Sequence, residues 1–168
     1  MTKSEIVGFS LAFCAIWGLL LVGLHLSTLH WDDGLQNIAG IRDYKAGHYN
    51  AAIQELSIYL KAHPTTPLGG FKMRTTSDDA QYFLAQALRK KHRYAEAEDA
   101  FRVYARCSAE EEGDYMLGKT LLEDNKPVEA RAAFQKVIDT DQMQDKHGHS
   151  WHLVDLSKAE LAKMNQPH

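Results

Sequence analysis

Three stretches of this 168-residue chain repeat one another, and that repetition restricts the fold more than any other feature of the sequence. LAQALRKKHRYAEAEDAFRVY and LGKTLLEDNKPVEARAAFQKV align at a 33-residue offset. Leu84 and Leu117 lead, followed by small Ala85 and Gly118 and then by Leu88 and Leu121. Further along, Ala97 and Ala130 precede Phe101 and Phe134. A third copy lies upstream, IAGIRDYKAGHYNAAIQELSIYLKAHP, in which Ala39-Gly40, His48-Tyr49, Ala52, Leu56, Tyr59 and Pro64 keep the same register. Small residues at 40, 85 and 118, and alanines at 52, 97 and 130, suit helices that cross closely within a pair. Large residues at 56, 101 and 134 fill the space between one pair and the next. Such units are stable only when about three of them stack and the ends are capped.

This pattern resembles the tetratricopeptide repeat (TPR), a helix-turn-helix unit of about 34 residues. Leu-Gly, a turn like Gly-Asp-Tyr, Ala, an aromatic and a closing Pro are matched at most positions over roughly residues 33–145. The resemblance implies an all-α superhelix of three helix-turn-helix repeats. The tryptophan that the family places early in each repeat is replaced by Gln36, Gln81 and Asp114. Pro127 stands where the second helix of the third copy begins, a position that tolerates proline. Between the first and second copies the register slips by 45, leaving eleven extra residues within HPTTPLGGFKMRTTSDD. Its prolines and Gly69-Gly70 predict a loop, with Phe71 and Met73 tucked on the scaffold or forming part of a contact surface, and Ser77 with Asp78 capping the next helix.

TPR domains bind peptides along the inner face of their first helices. Carried over position by position, that face holds Asn37, Ile41 and Tyr44, then Asp79, Tyr82, Gln86 and Arg89, then Tyr115, Lys119 and Leu122. Asn37, Tyr44, Tyr82, Gln86, Arg89, Tyr115 and Lys119 are the expected partner-binding groove, since Tyr and Arg dominate interface hot spots. The lysine–asparagine clamp with which some members hold C-terminal carboxylates is not reproduced, Asn37 and Ile41 standing in its first-repeat places. After the repeats, QMQDKHGHS reads as a loop and WHLVDLSKAELAKM as an amphipathic capping helix. Trp151, Val154, Leu161 and Met164, with Leu153 and Leu156 alongside, form its apolar stripe, and Lys158 and Lys163 face away.

The amino-terminal end has a different solvent. Nineteen consecutive residues from Ile6 to Leu24 carry no charge, and extension to Leu29 gives a helix of roughly 36 Å, long enough to span a bilayer. No A-x-A-like cleavage site ends the run, so the segment is expected to remain as a transmembrane anchor with Trp31 at the interface. Ser10, Cys14, Gly18 and His25 share one face, and small residues four apart let a second helix approach closely. That row is the expected packing face toward a partner helix, and it also suits a second copy of the chain. His25 with Trp31 six residues later resembles light-harvesting polypeptides, which would imply a tetrapyrrole ligand; Leu21 stands where that family has a small residue.

Little chemistry is written elsewhere. With 19 basic and 22 acidic residues the net charge of −3 argues against a dedicated nucleic-acid binder. Two cysteines, Cys14 and Cys107, supply neither a disulfide framework nor a cysteine-rich zinc site. His147, His149 and His152 have metal-like spacing, but no carboxylate or cysteine sits where it would complete the site. CxxCH, Walker A and HExxH motifs are absent, and no nucleophile–base pair stands out. The basic RKKHRY (89–94) and acidic SAEEEGD (108–114) runs read as solvated turns.

The expected organisation is a tail and membrane helix over 1–31, repeats at 32–64, 78–111 and 112–145, an inserted loop at 65–77, and a loop, cap and tail over 146–168. The expected function is a non-enzymatic, cofactor-free scaffold in the inner membrane, its amino terminus cytoplasmic and its repeats periplasmic. Both the membrane helix and the groove would contact a membrane protein complex. The alternative is an accessory subunit that binds a tetrapyrrole through His25 or a metal through His147, His149 and His152.

Overall fold

The computed structural model describes residues 38–66, 74–107, 110–143 and 151–166. They belong to one compact unit, Ile38–His168, and form seven helices. These are α1 (Ala39–Lys45), α2 (Tyr49–Ala62), α3 (Thr76–Lys90), α4 (Tyr94–Cys107), α5 (Glu110–Glu123), α6 (Pro127–Met143) and α7 (Trp151–Met164). Each helix packs on the next, and α1 also meets α3 while α5 meets α7. The result is three helix pairs and a closing helix, all α as the repeats require. Among the described residues no helix is long and apolar enough to cross a membrane. The expected span, with Ser10, Cys14, Gly18 and His25, lies outside them, as do Asn37, His147 and His149.

The pairs close through their smallest residues. A Cβ on Gly40 would fall 2.9 Å from the backbone nitrogen of Leu56, and one on Gly118 would fall 2.7 Å from the Phe134 ring. Leu56, Phe101 and Phe134 are fully buried, each contributing about 1.5–3 kcal/mol by leaving water. Ala85, at the corresponding place in the second pair, is fully buried as well. Gly113 is a further point of contact, because its Cβ would stand 2.6 Å from the Ala105 Cα.

All three turns use one backbone device. Gly47, His92 and Asn125 have φ of 83°, 57° and 57°. The residue after each donates to a carbonyl five positions back: His48 to Asp43 at 2.8 Å, Arg93 to Leu88 at 3.0 Å and Lys126 to Leu121 at 2.8 Å. Gly47, His92 and Asn125 themselves donate to Tyr44, Arg89 and Leu122. This double bond pattern is the Schellman cap, which satisfies the last carbonyls of a helix and needs a left-handed residue. Pro127 then opens α6 as its first residue, where its missing N–H costs nothing.

Two helix starts differ from expectation. α3 begins at Thr76 and α5 at Glu110, each two residues ahead of the repeats expected from 78 and 112. Thr75, not Ser77, caps α3: its Oγ1 accepts from the Asp78 N–H at 3.3 Å, and the Asp78 carboxylate accepts from the Thr75 N–H at 2.7 Å. This reciprocal box satisfies two orphan donors, and it explains why Asp78 is buried. In α5 three glutamates, Glu110–Glu112, occupy the first turn, where negative charge favours the helix.

Two of the positions where the resemblance implied tryptophan, 81 and 114, hold polar residues that reach the next helix. Gln81 donates from α3 to the Ala100 carbonyl of α4 at 3.0 Å, and Asp114 of α5 pairs with Lys136 of α6 at 2.8 Å. Along α7, Val154 is buried and Leu153, Leu156, Leu161 and Met164 are half-buried, while Lys158 and Lys163 are exposed. Ser157 is also fully buried, and its hydroxyl has no hydrogen-bond partner among the described residues.

Candidate functional site

The first helices of the pairs, α1, α3 and α5, carry the expected groove residues, and α7 extends the row. Tyr44 on α1 lies with its ring 5.2 Å from Phe83 of α3 and 5.6 Å from Tyr49. On α3, the Gln86 amide donates to the Tyr82 hydroxyl at 3.0 Å and lies 3.5 Å from the Met116 sulfur of α5. Arg89 grips Glu123 of α5 with two bonds, Nε at 2.9 Å and Nη2 at 2.6 Å. Lys119 of α5 donates to Glu160 of α7 at 3.0 Å. Tyr44, Gln86, Arg89 and Lys119 of that set are each tied to a residue of a neighbouring helix.

The ties have electrostatic consequences. Two bonds from Arg89 hold the Glu123 carboxyl below the ordinary carboxylate range, against the opposing effect of burial. Burial pushes the Glu160 carboxyl up, but Lys119 and Lys163 outweigh it and the net direction is down. Burial raises the Tyr44 and Tyr82 hydroxyls, so both stay protonated donors over the ordinary pH range. Arg89 and Lys119 of the expected groove are thus each paired with a carboxylate of a neighbouring helix.

Two of the expected residues do not line the surface. Tyr115 is only 9% exposed, with its ring 5.8 Å from Phe134, and Gln86 is 7% exposed. They support the face from beneath. Tyr44, Tyr82, Arg89 and Lys119 remain half-buried with edges open to solvent.

Residues outside the expected set complete the face. Arg74, two positions before α3, bonds through Nε to Asp79 and through Nη1 to Glu112 of α5 at 3.4 Å. Its guanidinium carbon stands 5.9 Å from the Tyr82 ring centre and 5.7 Å from that of Tyr104. Tyr104, on α4, donates to Glu112 at 2.6 Å. Burial first and that bond second drive its pKa far above the usual phenol value. Burial also raises the Asp79 carboxyl in spite of Arg74. Glu112 corrects the reading of the acidic run as merely solvated, as does Glu110, which lies 3.3 Å from Lys136.

A cavity of 440 Å³ opens elsewhere, lined by Arg102, Ala105, Arg106, Glu110, Asp114 and Lys136. His152 is exposed, and among the described residues no group of three His, Cys, Asp or Glu side chains could hold a metal.

No curated protein matches the chain. The third helix pair, α5 and α6, repeats the cap of both earlier pairs and the glycine contact of the first. Residues 39–112, from α1 into the first turn of α5, match the family model of the tetratricopeptide repeat.

Proposed function

We propose that this chain is a membrane-tethered adaptor whose repeat groove holds a protein partner. Stacked repeats of this kind present extended surfaces that bind other proteins. The observation that carries the reading is the open row Tyr44, Tyr82, Arg89 and Lys119 along successive first helices. Its side chains are fixed by Phe83, Gln86, Glu123 and Glu160, so binding loses little rotamer freedom. The uncharged run from Ile6 to Leu24 supports the tether, and Ser10, Cys14, Gly18 and His25 are the face through which it docks on a membrane partner. The repeats lie on the periplasmic side of the inner membrane in this reading.

The test is gentle detergent extraction of the tagged full chain, with partners quantified beside a Tyr44→Ala/Arg89→Ala variant. Loss of a specific partner from the variant, at unchanged helix content, is the expected result. Equal recovery from both would remove the groove from the account. Gly18→Leu examines the membrane face in the same preparation, and protease access in intact and opened spheroplasts examines the side.

A further inference from the structure

Asp79, Tyr82, Tyr104 and Glu112 form a cage at the junction of α3, α4 and α5, and one guanidinium fills it. Two tyrosine rings, 5.3 Å apart, face the cation, and two carboxylates take its N–H groups. Aromatic faces attract a cation through their quadrupole, and carboxylates match the planar fork of arginine better than the point charge of lysine. The occupant, Arg74, is not a helix residue, and its side chain is 46% exposed against 13% for Asp79. A rotation about its own side-chain bonds would carry it into water and leave the cage open. The cage also lies beside the groove, since Tyr82 belongs to both.

We infer that the cage of Asp79, Tyr82, Tyr104 and Glu112 is a receptor for an arginine side chain of a basic partner peptide, and that Arg74 occupies it in cis as a competing ligand. The inference deepens the groove reading and rests on it, because the arginine arrives as part of a peptide laid along the first helices. An internal competitor lowers the apparent affinity by the fraction of time the cage is open. Lysine is disfavoured, since it meets the two carboxylates without a planar fork.

The experiment uses the full chain in detergent and a five-residue peptide, acetylated and amidated, with a central arginine or with uncharged citrulline in its place. Arg74→Ala is expected to bind the arginine peptide tighter than the unaltered chain, by about tenfold if the competitor leaves the cage open about one-tenth of the time. Addition of Glu112→Gln to Arg74→Ala is expected to lose that gain, and the citrulline peptide is expected to bind neither protein. Arg74→Gln serves in place of Arg74→Ala if the latter loses helix content. No gain in either Arg74 variant, or equal binding of citrulline, overturns the inference. Loss of the partner by Tyr44→Ala/Arg89→Ala, without any gain on removal of Arg74, sinks the cage and leaves the groove. A gain for Arg74→Ala while the Tyr44→Ala/Arg89→Ala variant keeps its partner supports the cage and removes the groove.

Discussion

The second and third helix pairs follow one backbone plan with different residues at its critical points. In α3–α4 the buried crossing positions are Ala80 and Ala85, the left-handed turn residue is His92, and Gln81 reaches the Ala100 carbonyl. In α5–α6 the same places hold Gly113, which packs back on Ala105 of α4, then Gly118, Asn125 and Asp114, the last paired with Lys136. The crossing demands small size, the turn demands a positive φ, and the third place demands only a group that reaches its neighbour. These demands differ in strictness, and substitutions can rank them.

The crossing should be strictest. Gly113→Ala forces a methyl against the Ala105 backbone and is expected to destabilise by about 3 kcal/mol; Gly118→Ala, which meets the edge of a ring, by about 2 kcal/mol. The reverse change in the second pair, Ala85→Gly, leaves room and costs about 1 kcal/mol through helix propensity. Urea unfolding followed by helix signal ranks the three. A neutral Gly118→Ala would mean that the two pairs cross alike and that their glycine–alanine difference is incidental.

The turn comes next. His92 holds a conformation that glycine reaches freely, so His92→Gly should stabilise by about 0.5 kcal/mol after loss of its 2.6 Å contact with the Tyr94 hydroxyl. Asn125→Gly should change the urea midpoint less, because asparagine tolerates this region better. A larger gain at Asn125 than at His92 would contradict the ranking.

The ionic ties should matter least. Glu123 and Glu160 have folded-state pKa values below the ordinary 4.5, so their stabilisation is present above that value and is lost as pH falls through the lowered ones. Asp79 acts in the opposite sense: its raised value means that ionisation disfavours folding, and acid partly offsets the loss. Because the Glu123 side chain is 41% exposed, screening limits the change to about 0.5 kcal/mol. Glu123→Gln should flatten the fall in urea midpoint as pH drops below the ordinary carboxylate value, and an unaltered slope would assign that fall to other groups.

The frame of the repeats was legible because its requirements recur at fixed spacing. Small residues at 40, 85 and 118 and the large ones at 56, 101 and 134 mark the crossings directly. Pro127 marked a helix start for the same reason. What escaped depends on partners far apart in sequence or on rotation about a helix axis. Tyr115 and Gln86 sit on the right helices but turn inward, and a family position does not fix that rotation for a side chain. Arg74 lay in a stretch that read as loop, and its partners Tyr104 and Glu112 come from two other helices. His92 lay in a run that read as a solvated turn, and its residue type did not single it out as the left-handed position. Ser157 broke the polarity pattern of α7, where a hydroxyl sits at a core position.

The outward side of α7 bears on assembly. His152, Asp155, Lys158 and Lys163 are exposed there, charged or polar at intervals along the whole helix. A repeat stack that ended in an apolar face would invite a second stack to continue it head to tail, and such a contact propagates into a fibre because nothing closes it. Wet charge on the last helix makes that continuation costly, since each group would lose its water without gaining a partner. Among the described residues the stack therefore presents a wet, charged face at α7 rather than an apolar one.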